Sequence, residues 1–200
     1  MKPSLFFIAC LSTFALGFGT AAADAETWVI DTSHSSAQFE VSHLMVATVE
    51  GSFSDVKGTV VLDDKNLKAS KIEAEIGVAS VNSGDKKRDK HLLSADFFDA
   101  KKHPKMVFKS TKITKAGKGY KVQGKLTMRG TTKPVTLKVS KVSKPVMHPM
   151  AKVPARGAEA STTINRQKFG VKWNKSLDKG GLMVGNDIDI TIKLELHKKK

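Results

Sequence analysis

Apolar and polar residues alternate with a period of two over most of this chain. Between Asp187 and Leu196, Ile188, Ile190, Ile192, Leu194 and Leu196 alternate with Asp187, Asp189, Thr191, Lys193 and Glu195. The same rhythm places Ile72, Ala74, Ile76 and Val78 on one face and Lys71, Glu73 and Glu75 on the other. Tyr120, Val122, Leu126 and Met128 share a face, as do Val135, Leu137 and Val139, and Ala37, Phe39, Val41 and His43. A period of two is that of a strand with one wet and one apolar side. With almost no helix to cover them, such strands must enclose their own apolar faces, in a closed barrel or a two-sheet sandwich.

Turn signals divide the chain. Asp31-Thr32-Ser33-His34-Ser35, Asp63-Asp64-Lys65-Asn66, Ala116-Gly117-Lys118-Gly119, Arg129-Gly130-Thr131-Thr132-Lys133 and Lys179-Gly180-Gly181 are rich in residues that turn the backbone. Val49 to Leu62 reads as one long strand broken by Gly51 and Gly58, which mark bends. The rhythm stops between Asn82 and Ala100. There, Ser83 as N-cap and Asp85 in the first turn predict a short helix anchored by Leu92, Leu93, Phe97 and Phe98. Pro145, Pro149 and Pro154 mark a loop, and too little chain follows them for a second core. Ala158, Ala160, Thr162 and Ile164 make a strand of small residues, which either leaves room for something or packs tightly on bulky neighbours. Eight or so strands, short turns and one helical excursion around residues 85–99 suit a barrel. The Cys-Trp-Cys signature of antibody-like sandwiches is missing.

The first 23 residues stand apart. Lys2 precedes an apolar stretch from Leu5 to Phe18, and Ala21-Ala22-Ala23 and Ala23-Asp24-Ala25 are small-x-small cleavage sites. This predicts a secretory signal peptide cut after Ala23, with Ala25 as the alternative, leaving one domain over residues 24–200. Phe7-Ile8-Ala9-Cys10 faintly resembles a lipoprotein cleavage box but lies too early in the chain. Cys10 is the only cysteine, so a processed chain has no disulfide, which fits a periplasmic protein large enough to bury its own core.

The net charge is +15, and Lys2 is the only charge in the first 23 residues. Lys86-Lys87-Arg88, Lys101-Lys102 and Lys198-Lys199-Lys200 concentrate it. Such a chain is drawn to anionic membrane surfaces or phosphate-bearing ligands, or simply carries a well-solvated surface. Nucleic acid is not expected as a partner, because the segment is exported and aromatics are few. There is no Gly-x-Ser-x-Gly, no His-Glu-x-x-His and no glycine-rich phosphate loop, so no catalysis is expected. Six histidines form no close ligand pair, so a metal site would have to be assembled from distant strands; neither metal nor cofactor is expected.

The chain resembles the YceI-like family of secreted, lipid-binding, lipocalin-like barrels. Trp28-Val29-Ile30-Asp31, Phe39-Glu40-Val41-Ser42-His43-Leu44 and Val49-Glu50-Gly51-Ser52-Phe53 carry the opening block. Ser80-Val81-Asn82-Ser83-Gly84, Arg88-Asp89-Lys90-His91-Leu92 and Asp96-Phe97-Phe98-Asp99 are similar to the central one. Gly124-Lys125-Leu126-Thr127, Gly130-Thr131-Thr132-Lys133-Pro134-Val135 and Ile164-Asn165-Arg166-Gln167-Lys168-Phe169-Gly170-Val171 follow in order. The resemblance implies an eight-stranded antiparallel barrel that holds an isoprenoid or other long amphiphile, and a homodimer. A long-chain isoprenoid or fatty-acyl lipid is therefore the expected partner. Polarity selects Phe39, Val41, Phe53, Ile76, Val78, Phe108, Leu126, Met128 and Ile190 as candidate tail contacts. Arg88 and His91 are candidate head-group contacts, and His43 a candidate deep polar contact.

Overall fold

A computed structural model describes residues 25–200 except Asp64 and Lys179; the expected signal segment lies outside the described residues. The strands are β1 (Glu26–His43), β2 (Ala47–Phe53), β3 (Val56–Leu62), β4 (Lys71–Gly77), β5 (Val81–Asn82), β6 (Lys105–Ala116), β7 (Gly119–Met128), β8 (Thr131–Val142), β9 (Val146–Met147), β10 (Pro154–Asn165) and β11 (Val184–Lys198), with one helix, α1 (Lys86–Leu93). Eight of these strands close a ring in the order β11-β10-β8-β7-β6-β4-β3-β1, and β1 returns to β11. All pairings are antiparallel. The result is the closed eight-stranded barrel that the alternation demands, since closure leaves no sheet edge and gives the apolar faces a shared interior.

Three local readings change. β1 runs unbroken through the expected turn at residues 31–35; its pairing with β11 merely slips between Asp31 and Ser36. The long β1 therefore pairs with β3 through Glu26 to Val29 and with β2 through Ala37 to His43. The break between β2 and β3 falls at Ser54 and Asp55, not at either glycine. Gly58 lies in β3 with φ +152° against the backbone of Glu73 and Ala74, too close for a side chain. The N-cap of α1 is Asp85, whose carboxylate accepts from the amides of Lys87 and Arg88; Ser83 instead receives a bond from Arg88.

The interior is packed in three groups. Phe53, Val78, Val81, Phe97, Met106, Met128, Ile164, Phe169 and Val171 fill the end under α1. Trp28, Ile30, Ala37, Val56 and Leu196 pack together around the start of β1. Phe108, Ile113 and Val122 pack along β6 and β7. Burying each such side chain contributes about 1.5–3 kcal/mol. Space nevertheless remains between these groups.

Candidate functional site

The inward rows of the strands border two apolar cavities. One, of about 190 Å³, lies along the part of the bore that includes Trp28, Ala37, Ile76, Phe108, Val122 and Leu196, and most of the side chains around it are apolar. The other, of about 430 Å³, lies at the His43 end among Phe39, Val41, Leu92, Phe97, Phe98 and Trp173. Met106, Met128, Ile164 and Ile190 border both. Apolar cavities of roughly 150 Å³ stay dry, and ligand sites usually run from about 300 to 1,000 Å³.

β11 shows how the sequence makes this bore. Ile188 faces the wider cavity, Ile190 both, and Ile192, Leu194 and Leu196 the narrower one. At about 3.4 Å per residue this row runs for about 27 Å. Ala158, Ala160 and Thr162 of β10 stand on the narrower cavity's wall beside it. The strand of small residues thus leaves room.

Ten of the twelve sequence-selected residues line these cavities. Ile76 and Phe108 face the narrower one, as does Leu126; Phe39, Val41, His43, Arg88 and His91 face the wider one; Met128 and Ile190 face both. Phe53 and Val78 do not. β4 ends at Gly77, so Val78 turns into a tight 3-10 segment and is 1% exposed in the core. Phe53 packs behind the wall, edge-on to Phe98 at 5.6 Å and tilted against Phe39 at 5.7 Å. His43 is the last residue of β1, next to the hairpin tip, so it stands at the rim instead of in the depth.

Polar groups gather at the mouth of the wider cavity. Arg88 Nε donates to Ser83 Oγ at 2.8 Å and Nη2 to the Ser83 carbonyl at 2.6 Å. Ser83 is fixed in turn by Asp89, which accepts from its hydroxyl and its amide. Arg88 Nη1 makes no hydrogen bond among the described residues. His91 Nε2 bonds Asp96 at 2.9 Å, and its ring lies edge-on between Phe97 and Trp173, at 4.9 and 4.8 Å. Lys87 adds a further cation to this wall.

Arg166 is the wall residue that polarity missed. It is 4% exposed and donates to the carbonyls of Gly185, Val171, Trp173 and Val184, with no carboxylate partner among the described residues. Burial pulls its pKa down. It ties the loop after β10 to the start of β11. The sequence places an arginine after a strand, which reads as solvent-facing; only the fold turns it inward. Trp173 is likewise visible only once this loop folds over the barrel mouth.

Histidines and carboxylates do converge elsewhere. His148, Glu195 and His197 form one group with ligand atoms within 4.8 Å, and Asp31, His34 and Glu195 another. Their atoms are already engaged: His197 bonds Glu195 at 2.8 Å, and His148 Nδ1 accepts from the amides of Met150 and Ala151. The two groups share Glu195 near the end of β11; His197 lies on the same strand, Asp31 and His34 on β1, and His148 on the loop after β9.

Comparison with known proteins decides the family. The YceI-like domain model matches residues 28–196. The chain belongs to the YceI-like family. It is 41% identical over 140 residues to a UPF0312 protein of Vibrio parahaemolyticus, covering 68% of this chain and 72% of that one. Burkholderia cenocepacia BcnA superposes with a TM-score of 0.71 at 26% identity, over 83% of this chain and 98% of its own. A polyisoprenoid-binding domain of Saccharophagus degradans, implicated in plant cell wall breakdown, shares the fold with a TM-score of 0.60 at 12% identity, over 86% of this chain and 98% of that one. This YceI-like chain thus pairs a family barrel with an open apolar bore and a cationic mouth.

Proposed function

We propose that this YceI-like protein is a periplasmic binder of a long-chain amphiphilic lipid, an isoprenoid or a fatty-acyl compound, which it carries, stores or sequesters without chemical change. The observation that carries this reading is the row Ile188 to Leu196, five inward apolar side chains along unfilled space. A filled barrel serving only as a scaffold does not have such a bore. The polyisoprenoid-binding neighbour of the same fold supports the ligand class.

The physical case concerns selectivity more than raw affinity. A buried methylene is worth about 0.8 kcal/mol against water. A lipid leaving a membrane has a dry tail already, so the tail gains little and its ordering costs free energy. The bore therefore selects length and slenderness, and the mouth selects the head. Arg88, whose Nη1 makes no hydrogen bond among the described residues, Lys87 and His91 suit an anionic or strongly polar head group. We read the signal segment as directing export, a second copy as the partner in a homodimer, and an anionic membrane surface as a transient contact.

Catalysis on the lipid is the competing class. It needs an activated nucleophile or a general acid–base pair at the mouth. Among the described residues no serine or threonine hydroxyl is hydrogen-bonded to a histidine there. The test is titration of delipidated protein with a long-chain isoprenoid phosphate and with a fatty acid, read by the emission of Trp28 and Trp173, one on each cavity. Saturable binding with the added lipid recovered unchanged is expected; no binding of either refutes the carrier, and turnover establishes the enzyme.

A further inference from the structure

The β1–β2 hairpin ends in an unusual tip. Leu44, Met45 and Val46 are 37%, 68% and 85% exposed. The Val46 amide closes the turn onto the His43 carbonyl at 3.2 Å, and Leu44 and Met45 both adopt the left-handed region, at φ +53° and +61°. Left-handed backbone at both central residues of a turn favours Asn and Gly and penalises bulky side chains. Polar or glycine residues would suit both the turn and the water. The chain instead holds three large apolar groups in solvent, in a strained turn.

The place of the tip gives this meaning. His43, Ser42 and Met183 line the wider cavity. The Leu44 amide donates to the Met183 carbonyl, and the Met183 amide to the Lys175 carbonyl, each at 2.8 Å. The tip is thereby bonded to a loop that carries exposed Lys172 and Lys175. On the same cavity wall stand Lys87 and Arg88, and exposed Lys86 and Lys90 share their helix. Acids stand at this end as well: Asp85 caps α1, Asp89 holds Ser83, Asp96 bonds His91, and Asp178 is exposed on the loop, while the exposed Glu40, Glu50, Asp187 and Asp189 lie on the outer faces of β1, β2 and β11, turned from the bore. An apolar tip amid cations at the opening of an apolar bore matches the interfacial layer of an anionic bilayer.

We propose that the cavity mouth docks on an anionic lipid bilayer, with Leu44, Met45 and Val46 inserted among the acyl chains and Lys87, Arg88 and Lys175 against the head groups. This rests on the lipid-binding reading for its purpose, though docking itself is measured separately. A bilayer fits the tip better than a second copy does. A symmetric contact would set each copy's cations against their own kind. The molecule also supplies its own control. A second apolar group, Val146, Met147 and Met150, is exposed on the β9–β10 hairpin, which meets the opposite end of β11.

The experiment is flotation of the purified protein with phosphatidylglycerol–phosphatidylcholine vesicles and with pure phosphatidylcholine vesicles. Binding only to the anionic vesicles is expected, weakened by salt near about 0.5 M. Folded M45D/V46D loses at least about tenfold in partitioning, K87E loses about fivefold or more, and M147D/M150D binds as the parent does. Equal binding to both vesicle types, unchanged binding of M45D/V46D, or an equal loss in M147D/M150D overturns the docking. So does a dimer that M45D/V46D dissociates while vesicle binding persists. Uptake of lipid delivered in detergent separates the two ideas. Intact uptake without vesicle binding removes the docking alone, and vesicle binding without uptake removes the carrier reading alone.

Discussion

Phe39 lies flat over Gly51, its partner across the β1–β2 ladder: a Cβ built on Gly51 would sit 2.3 Å from Phe39 Cζ. Phe108 covers Gly124 in the same way, with Cζ 2.4 Å from the Cβ position there. Phe39 lines the wider cavity and Phe108 the narrower. In each case the missing side chain lets a ring lie against the wall instead of projecting into the bore.

These pairs make the first prediction. G51A forces the Phe39 ring off the wall, and G124A displaces the Phe108 ring and crowds the Lys109 carbonyl as well, each at a stability cost of about 1–3 kcal/mol for overpacking. The barrel stays folded by circular dichroism, but the affinity for a long-chain lipid falls. Unchanged affinity in both variants would mean that the rings do not control the bore.

The same pairs show what the sequence conveys and what it does not. The inward rows of β4, β7, β8 and β11 follow from alternation alone, because a strand has only two faces and one is charged. Small β10 residues hinted at space for the same reason. Gly51 and Gly58, however, read as breaks, since a glycine's absent side chain does not say whether the backbone bends or a neighbour moves in. Val78 continued an apolar row past the end of its strand. Arg166 and Trp173 were invisible as wall residues because their position depends on a loop folding across the barrel mouth, a long-range event with no local period.

Arg88 should discriminate between head groups. Its Nε and Nη2 are held by Ser83, which presents the guanidinium at the cavity wall. R88A is expected to weaken binding of a phosphorylated lipid about tenfold, the worth of one charge-assisted hydrogen bond. It should leave a neutral lipid of equal length nearly unaffected. Calorimetric titration with the matched pair measures this; equal losses for the two remove Arg88 from the head-group role.

Arg166 should matter for folding more than for ligand choice. Its substitution orphans the carbonyls of Gly185, Val171, Trp173 and Val184. R166M is expected to cost at least about 3 kcal/mol, at about 1–3 kcal/mol for each buried acceptor left unpaired. Urea unfolding followed by tryptophan emission gives the value. A loss below about 1 kcal/mol would show that the mouth loop is held by other contacts.

Asp31, His34 and Glu195 form a pH-dependent latch where the β1–β11 pairing slips. Burial opposes ionisation of Asp31, but hydrogen bonds from His34 and Ser33 outweigh it and hold the carboxyl below its usual range. The bond to Asp31, with the charges of Glu195 and Asp31, holds His34 above its usual range. The His34 contribution is therefore complete below about pH 6.5 and fades as pH rises through the raised value. The Asp31 contribution is complete above about pH 3.9 and fades as pH falls through the lowered one. Denaturation midpoints should show the parent gaining on H34Q between these limits and losing that gain at higher pH. A constant difference across the range would contradict the latch.

Solvent extraction of the purified protein, followed by mass spectrometry, tests the central claim most directly. The account predicts one recurrent long-chain amphiphile, near one per barrel, that disappears from the extract of a folded variant whose bore is blocked by A160F. A barrel that yields no such compound, and takes up none when delipidated and offered it, would contradict the account.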